Sequence, residues 1–338
     1  TTAEIGGTAG WMIPIYSSVL VFIIFMLISK LYKGFEGKDL IDLGEVVGGS
    51  PVRIIVGLVL LVYFIFAASI LLREFGEDMK VIALQISPIS FVVLFFIAGI
   101  IFGNYLGLEA IVRFHALAIP VIIAAFVIIA LGVAPYYDIT NLLPIMGPGA
   151  SNLLMKGFYS ISSFSSIITV FMLFPYIKTH SNFKRVGFWS IGIGFIFLTA
   201  STLVYLMVYG FPAATENFLP IFQLARLINY GRFFQRIESI FVLAWATSAF
   251  MYLSFAFFLG IHSFRKAFRL EFYKPLIIPF AILVFTLSLV PQNLMEAINL
   301  EVSIFRNVAW IVTFVLTIIL LIAAHMVKRI RNRKGAHA

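Results

Sequence analysis

Five hydroxyls within seven residues, Ser160, Ser162, Ser163, Ser165 and Ser166, stand at the head of an apolar stretch, GFYSISSFSSIITVFMLFPYIK from Gly157 to Lys178. The stretch is long enough to cross a bilayer. Serine competes with the backbone for hydrogen bonds and weakens helix interiors, so this density is a poor recipe for a lipid-facing helix. The second half, Ile167 to Tyr176, is almost purely apolar and carries Pro175 near its end. The pattern predicts a discontinuous membrane helix, with a loosened polar half lining a cavity and an apolar half anchoring it. Non-helical backbone at membrane depth is tolerated only where protein or a polar cavity satisfies it, which makes the stretch a pointer to a binding site. The competing reading is a serine-rich helix packed tightly on its neighbours, because small residues let helices approach closely.

Other reactive chemistry is excluded by residue type or by spacing. The chain has no cysteine, so disulfides, thiolate metal sites and cysteine nucleophiles are ruled out. No HExxH, GxxxxGK[ST] or GxSxG motif occurs. The five histidines, His115, His180, His262, His325 and His337, show no ligand spacing. The reading is of a protein that is not an enzyme and carries neither metal nor cofactor.

The elements that position the hydroxyls must be membrane helices. Of the 338 residues, 62% are hydrophobic and 12% charged, and the mean hydropathy is +1.06. A soluble domain of that composition would have a largely apolar surface. Nine apolar runs approach the ~20 residues needed to cross ~30 Å of hydrocarbon: 11–31, 52–72, 88–103, 114–134, 156–177, 186–210, 236–262, 275–291 and 306–327. The third and eighth are short and bounded by Pro88 and Pro291. Of the 24 Lys and Arg, 17 fall in connections on the side of the C-terminus and 7 on the other, so the positive-inside rule puts the C-terminus in the cytoplasm. Nine spans then leave the N-terminus outside, and TTAEIGGTAG reads like the loop after a first helix, within a natural ten-span protein. The net charge of +9 is spent on topology and anionic lipid headgroups, not on nucleic acid.

Along the chain, Leu40, Leu43, Val46 and Val47 recur at helical spacing among Asp39, Asp42 and Glu45, which predicts a short helix on the membrane surface ended by Gly48, Gly49 and Pro51. The second span carries Tyr63, Ala67, Ala68 and Ser69; Tyr63 alone reads as a core tyrosine, with pocket lining the alternative. Arg73 to Ser87 reads as a solvated, self-paired helix start. Gly99, Gly103 and Gly107 form a small-xxx-small ridge, with Asn104, Glu109 and Arg113 in the adjacent turn. Gly187, Gly192 and Gly194 read as packing positions. The segment LPIFQLARLINYGRFFQRIE predicts a partly buried helical cap over the bundle mouth. It leads to Glu238 at the outer entrance of the seventh span and to Trp245, Thr247 and Ser248 near mid-depth.

The phrases FMLFPYIK, LARLINYGRFFQRIESIFVLAWATS and LLPIMGPG resemble the B subunit of spore germinant receptors, the endospore germination permease family. The resemblance covers essentially the whole chain and implies the fold of the amino acid–polyamine–organocation superfamily. That fold is an all-α polytopic domain (1–338) of two inverted five-helix repeats whose first and sixth helices are unwound. Here 11–134 is the remainder of the first repeat, 156–327 the second, and 328–338 a basic cytoplasmic tail. This chain departs from the pattern by lacking the first helix. The resemblance implies a midplane site formed by Tyr63 and Ala67, by Ser160, Ser162, Ser163 and Phe164, and by Trp245, Thr247 and Ser248, under an outer gate of Arg236 and Glu238. Loosened amides at Ser160 to Ser163 would bind the carboxylate of an amino acid, with Phe164 and Trp245 bounding its side chain.

The leading expectation is a germinant-sensing subunit of the spore inner membrane that binds a small nutrient and signals to receptor subunits of the A and C types. One alternative is a cation-coupled amino acid transporter. The other is a scaffold that binds nothing and has a dry, side-chain-filled centre beside Ser162.

Overall fold

A computed structural model of the protein describes residues 2–177, 179–217, 219–229 and 237–335, and all regular structure in them is helical. The helices run α1 Thr2–Gly6, α2 Met12–Leu31, α3 Leu40–Ile82, α4 Ile89–Leu106, α5 Leu108–Gly132, α6 Ala150–Gly157, α7 Ile168–Met172 and α8 His180–Tyr209. They continue as α9 Pro220–Leu227, α10 Glu238–Ala267, α11 Ile277–Ser288, α12 Leu294–Leu300, α13 Arg306–Trp310 and α14 Thr317–Gly335. Among the described residues eight helical stretches are long and apolar enough to cross a membrane. They correspond to all the expected runs except 275–291. That run contains α11, whose 12 residues rise only ~18 Å and fall short of the hydrocarbon thickness.

The chain divides into two compact units, each interleaving segments from both expected repeats. The first holds Thr1–Ile24, His115–Phe164 and Phe188–Ser248, and the second holds Phe25–Phe114, Ser165–Gly187 and Ala249–Ala338.

The core of the first unit gathers Ile129 and Val133 from the end of α5, Tyr205 and Leu206 from α8, Leu224, Ala225 and Ile228 around α9, and Phe241 from α10. The short α9 is thus the partly buried helix expected there, with Leu224 and Ala225 in the core; residues 230–236 of that segment, Phe233 among them, lie outside the described residues. Gly132 is required here, since a Cβ would lie 2.6 Å from Ile228 Cδ1. The Pro- and Gly-rich connection after α5 is pinned by side chains: Asn141 Nδ2 donates to Met207 O at 2.9 Å and Thr8 Oγ1 to Pro144 O at 2.7 Å.

In the second unit α3 packs against α4, α11, α12 and α14. Small residues let the backbones close: a Cβ on Gly57 would lie 2.5 Å from Ala267 Cβ, and one on Gly99 would lie 2.8 Å from Phe250 Cε2. The expected ridge on α4 thus faces α10, whereas Gly107 ends α4 at φ +95°. Asn104, expected in a turn, is fully buried in α4. Its amide donates to Ile100 O at 2.9 Å and to Ser254 O at 3.2 Å. Phe25, Tyr32, Phe171, Phe174 and Phe183 form an aromatic cluster, with Phe174 and Phe183 centroids 4.3 Å apart. Gly187 lies so close that a Cβ would fall 1.9 Å from Phe25 Cζ.

The expected short helix and the second span are two helical pieces of α3, parted by non-helical backbone at Gly48 (φ −142°, ψ +20°) and Gly49 (φ +69°, ψ −151°), and the apolar side of the short piece, Leu40 and Leu43, is fully buried. The expected break is where the two glycines and Pro51 place it. Asp39 caps the helix, accepting from Ile41 N and Asp42 N at 3.0 Å each, while Asp42 accepts from Asp39 N at 3.1 Å. The reciprocal pair is a capping box. At the far end α3 continues to Ile82. Arg73 is only 4% exposed and pairs with Glu77 at 2.8 Å, one turn away. The expectation of a solvated segment fails for Arg73, because the helix persists through it and the residue is buried. Self-pairing holds there, and likewise for Arg113 with Glu109, 2.5 Å apart on an exposed face of α5.

Candidate functional site

The serine-rich stretch does leave α geometry, as the hydroxyl density predicts. Between α6 and α7, residues Phe158–Ile167 form a 3₁₀ helix of 10 residues, where runs beyond 3–4 are uncommon. A second short 3₁₀ turn, Phe174–Tyr176, follows α7 at Pro175. The form of the break differs from expectation. The segment is wound tighter rather than opened, so its amides point to carbonyls three residues back and what it offers a solute is hydroxyls. The apolar half is likewise shorter than expected, since α7 has five residues.

Within the first unit, Ser162 and Phe164 are buried, Ser160 half-buried and Ser163 exposed. Ser162 Oγ donates to Tyr159 O at 2.8 Å. The Phe164 ring packs on α8, where a Cβ on Gly194 would lie 3.4 Å from its Cε1. On α10, Thr247 Oγ1 donates to Leu243 O and Ser248 Oγ to Trp245 O, both at 2.8 Å. Trp245 stacks on Phe241 with centroids 5.9 Å apart and planes 16° from parallel. The three hydroxyl protons are thus spent on backbone carbonyls, and the oxygens of Ser162, Thr247 and Ser248 remain as acceptors. Of the expected outer gate, Glu238 is half-buried in the first turn of α10, and Arg236 lies outside the described residues.

Tyr63 and Ala67 belong to the second unit and are buried in α3. Tyr63 forms the wall of a carbon-lined groove of about 480 Å³ that also includes Val62, Phe66, Phe305, Val308 and Val312. Two π-helical turns, Glu301–Phe305 and Ile311–Leu316, interrupt the last span between α12 and α14. The second of them presents Thr313, which is fully buried. Thr313 donates to Ser165 O at 3.1 Å. Ser165 itself is 3% exposed, and its Oγ has no hydrogen-bond partner among the described residues. Reading the residues alone singled out Tyr63 but passed over Ser165 and Thr313. Ser165 was visible as one of five clustered hydroxyls, whereas a lone threonine in an apolar run carries no signal of the turn that aims it.

The ends of α2, α3, α10 and α14 in the second unit are held by polar bonds. Lys266 Nζ lies 2.6 Å from Asp39 Oδ2 and 2.7 Å from Asp42 Oδ2. Glu45 pairs with Arg53 at 3.4 Å and also with Arg269. Arg53 Nε donates to Ala267 O at 3.2 Å, and His325 Nε2 bonds Leu31 O at 2.8 Å.

Comparison with known proteins supplies the context. The spore permease family, described as Spore germination protein, matches residues 1–297. Three curated relatives come from Bacillus subtilis (strain 168). Spore germination protein A2 is 25% identical over 331 residues, covering 96% of this chain and 88% of the relative. Spore germination protein KB is 20% identical over 347 residues, covering 100% and 92%. Spore germination protein B2 is 22% identical over 251 residues, covering 74% and 68%. With a match over most of its length and eight stretches suited to crossing a membrane, this chain belongs to the spore germination protein family of multi-pass membrane proteins.

Proposed function

We propose that this chain is the membrane subunit of a spore germinant receptor. It binds a small nutrient, an amino acid, at mid-depth and passes a conformational shift to receptor subunits of the A and C types. It sits in the spore inner membrane with its C-terminus in the cytoplasm and is built on the inverted-repeat plan of the amino acid–polyamine–organocation superfamily. Ser160, Ser162, Ser163 and Phe164 with Trp245, Thr247 and Ser248 are its solute contacts, and Arg236 and Glu238 its outer gate. One observation carries the reading: ten residues rich in serine leave α geometry inside a span of a spore germination family member. Irregular backbone at that depth goes with solute sites. The committed protons of Ser162, Thr247 and Ser248 add support, since the remaining lone pairs suit an ammonium group and the free hydroxyl of exposed Ser163 suits a carboxylate. Signalling then needs only that the solute bind one of two conformations better than the other.

A thermal-shift screen of the full-length protein against amino acids, sugars and nucleosides tests this. An upward shift with an amino acid, abolished by Ser163→Trp or Thr247→Trp, is expected. A shift that survives both substitutions overturns the pocket. Uptake of labelled amino acid into liposomes would replace sensing by cation-coupled transport, and absence of any binding would leave a scaffold.

A further inference from the structure

We propose that one water molecule is bound in the seam between α4 and α10, donating to Asn104 Oδ1 and accepting from Ser254 Oγ. The site lies in the second unit and uses none of the proposed solute contacts. Neither atom has a hydrogen-bond partner among the described residues, although Asn104 is fully buried and Ser254 only 2% exposed. Buried polar groups in native proteins pair with protein or with ordered water, and a water needs at least two such partners.

The orientation of the Asn104 amide is fixed. Its nitrogen donates to Ile100 O and Ser254 O; turned over, the amide would set its oxygen against two carbonyl oxygens. The unmatched atom is therefore an acceptor, and the backbone of Ser254 is already 3.2 Å from the same amide. Two other serines of α10 spend their proton on their own helix, Ser248 on Trp245 O and Ser263 on Leu259 O, at 2.8 and 2.7 Å. Ser254 Oγ does not, and its proton is left for a partner across the seam.

The room comes from a glycine. Gly99 and Gly103 stand one turn apart on the ridge of α4, but only the first is tight: a Cβ on Gly99 would fall 2.8 Å from Phe250 Cε2. A Cβ on Gly103 would meet nothing beyond its own stretch of helix closer than Phe250 Cζ at 3.8 Å and Ser254 Oγ at 3.9 Å. That leaves space beside the serine hydroxyl for one particle the size of a methyl group, which is about the size of a water. An acceptor and a hydroxyl donor on either side require a particle that donates and accepts at once. Water does both, and the two side chains carry no charge to hold a metal ion.

The test is a density map of the full-length protein in lipid nanodiscs, at a resolution that shows ordered water, together with melting temperatures of Gly103→Ala and Gly103→Ser. The map should show a peak about 2.8 Å from both Asn104 Oδ1 and Ser254 Oγ, unchanged when choline replaces sodium in the buffer. Gly103→Ala should expel the water, strand both polar atoms and melt several degrees below wild type, although alanine is the better helix former. Gly103→Ser supplies a hydroxyl in place of the water and should melt above Gly103→Ala, the reverse of their order in helix propensity. A seam without the peak overturns the inference, as does a peak that needs sodium. So does Gly103→Ala melting at or above wild type, the result for a methyl group placed in a dry gap, or Gly103→Ser melting no higher than Gly103→Ala.

Discussion

Lys266 bridges two carboxylates that cap a helix more than two hundred residues away: its Nζ is 2.6 Å from Asp39 Oδ2, and Asp39 is fully buried. The first acid of the capping box is thus also the counter-ion that holds the end of α10 to the start of α3.

Removing the ammonium should be far worse than removing both charges. Lys266→Met leaves Asp39 buried without its cation and should cost about 3 kcal/mol, in the range for an uncompensated buried charge. Adding Asp39→Asn, which preserves the cap, should recover most of it. Thermal unfolding of the four proteins in one detergent gives the coupling; additive effects would show that the two residues do not act as a pair.

Burial pushes the Asp39 carboxyl up from 3.8 to about 6, against the pull of Lys266. The folded protein therefore takes up this proton more readily than the unfolded chain. The stability it contributes is present at about pH 4 and is lost as pH rises through about 6. Asp39→Asn should flatten this part of the stability profile between about pH 4 and pH 6, and a profile unchanged by the substitution would refute the assignment.

Glycines of α8 that look alike in sequence should answer differently to a methyl group. Gly187→Ala drives a Cβ to 1.9 Å from Phe25 Cζ and should cost about 1–3 kcal/mol through displacement of the aromatic cluster. Gly192 has open space around its Cβ position, so Gly192→Ala should be neutral or gain up to about 1 kcal/mol from helix propensity. Equal melting temperatures for the two variants would contradict this packing.

Gly49→Ala probes the backbone alone, because nothing lies within 4 Å of the added carbon. At φ +69°, ψ −151° a side chain is strained, and a loss of about 1–3 kcal/mol is expected. Gly37→Ala, also at positive φ with no neighbour, should behave alike; no loss at either would mean the loop relaxes freely.

The features readable in advance were those set by neighbours in sequence. The break at Gly48 and Gly49 follows from two glycines and Pro51, and the irregular span from five crowded hydroxyls. The ion pairs Arg113–Glu109 and Arg73–Glu77 follow from helical spacing. What escaped depends on residues far away. The serine segment is bonded through Ser165 O to Thr313, 148 positions on. Arg73 looked solvated because its burial comes from tertiary packing around α3, and Asn104 looked like a turn residue because its acceptor Ser254 O is 150 positions distant. The Asp39–Lys266 pair spans 227 positions, and no local pattern announces it.

The two-glycine interruption of α3 has a mechanical outcome. The break at Gly48 and Gly49 folds Leu40–Val47 back into reach of two partners at once: Glu45 pairs with Arg53 on the span that follows and with Arg269, while Asp39 and Asp42 pair with Lys266. The short rod is thereby a clasp between the span behind it and the end of α10, a helix to which it is not covalently adjacent.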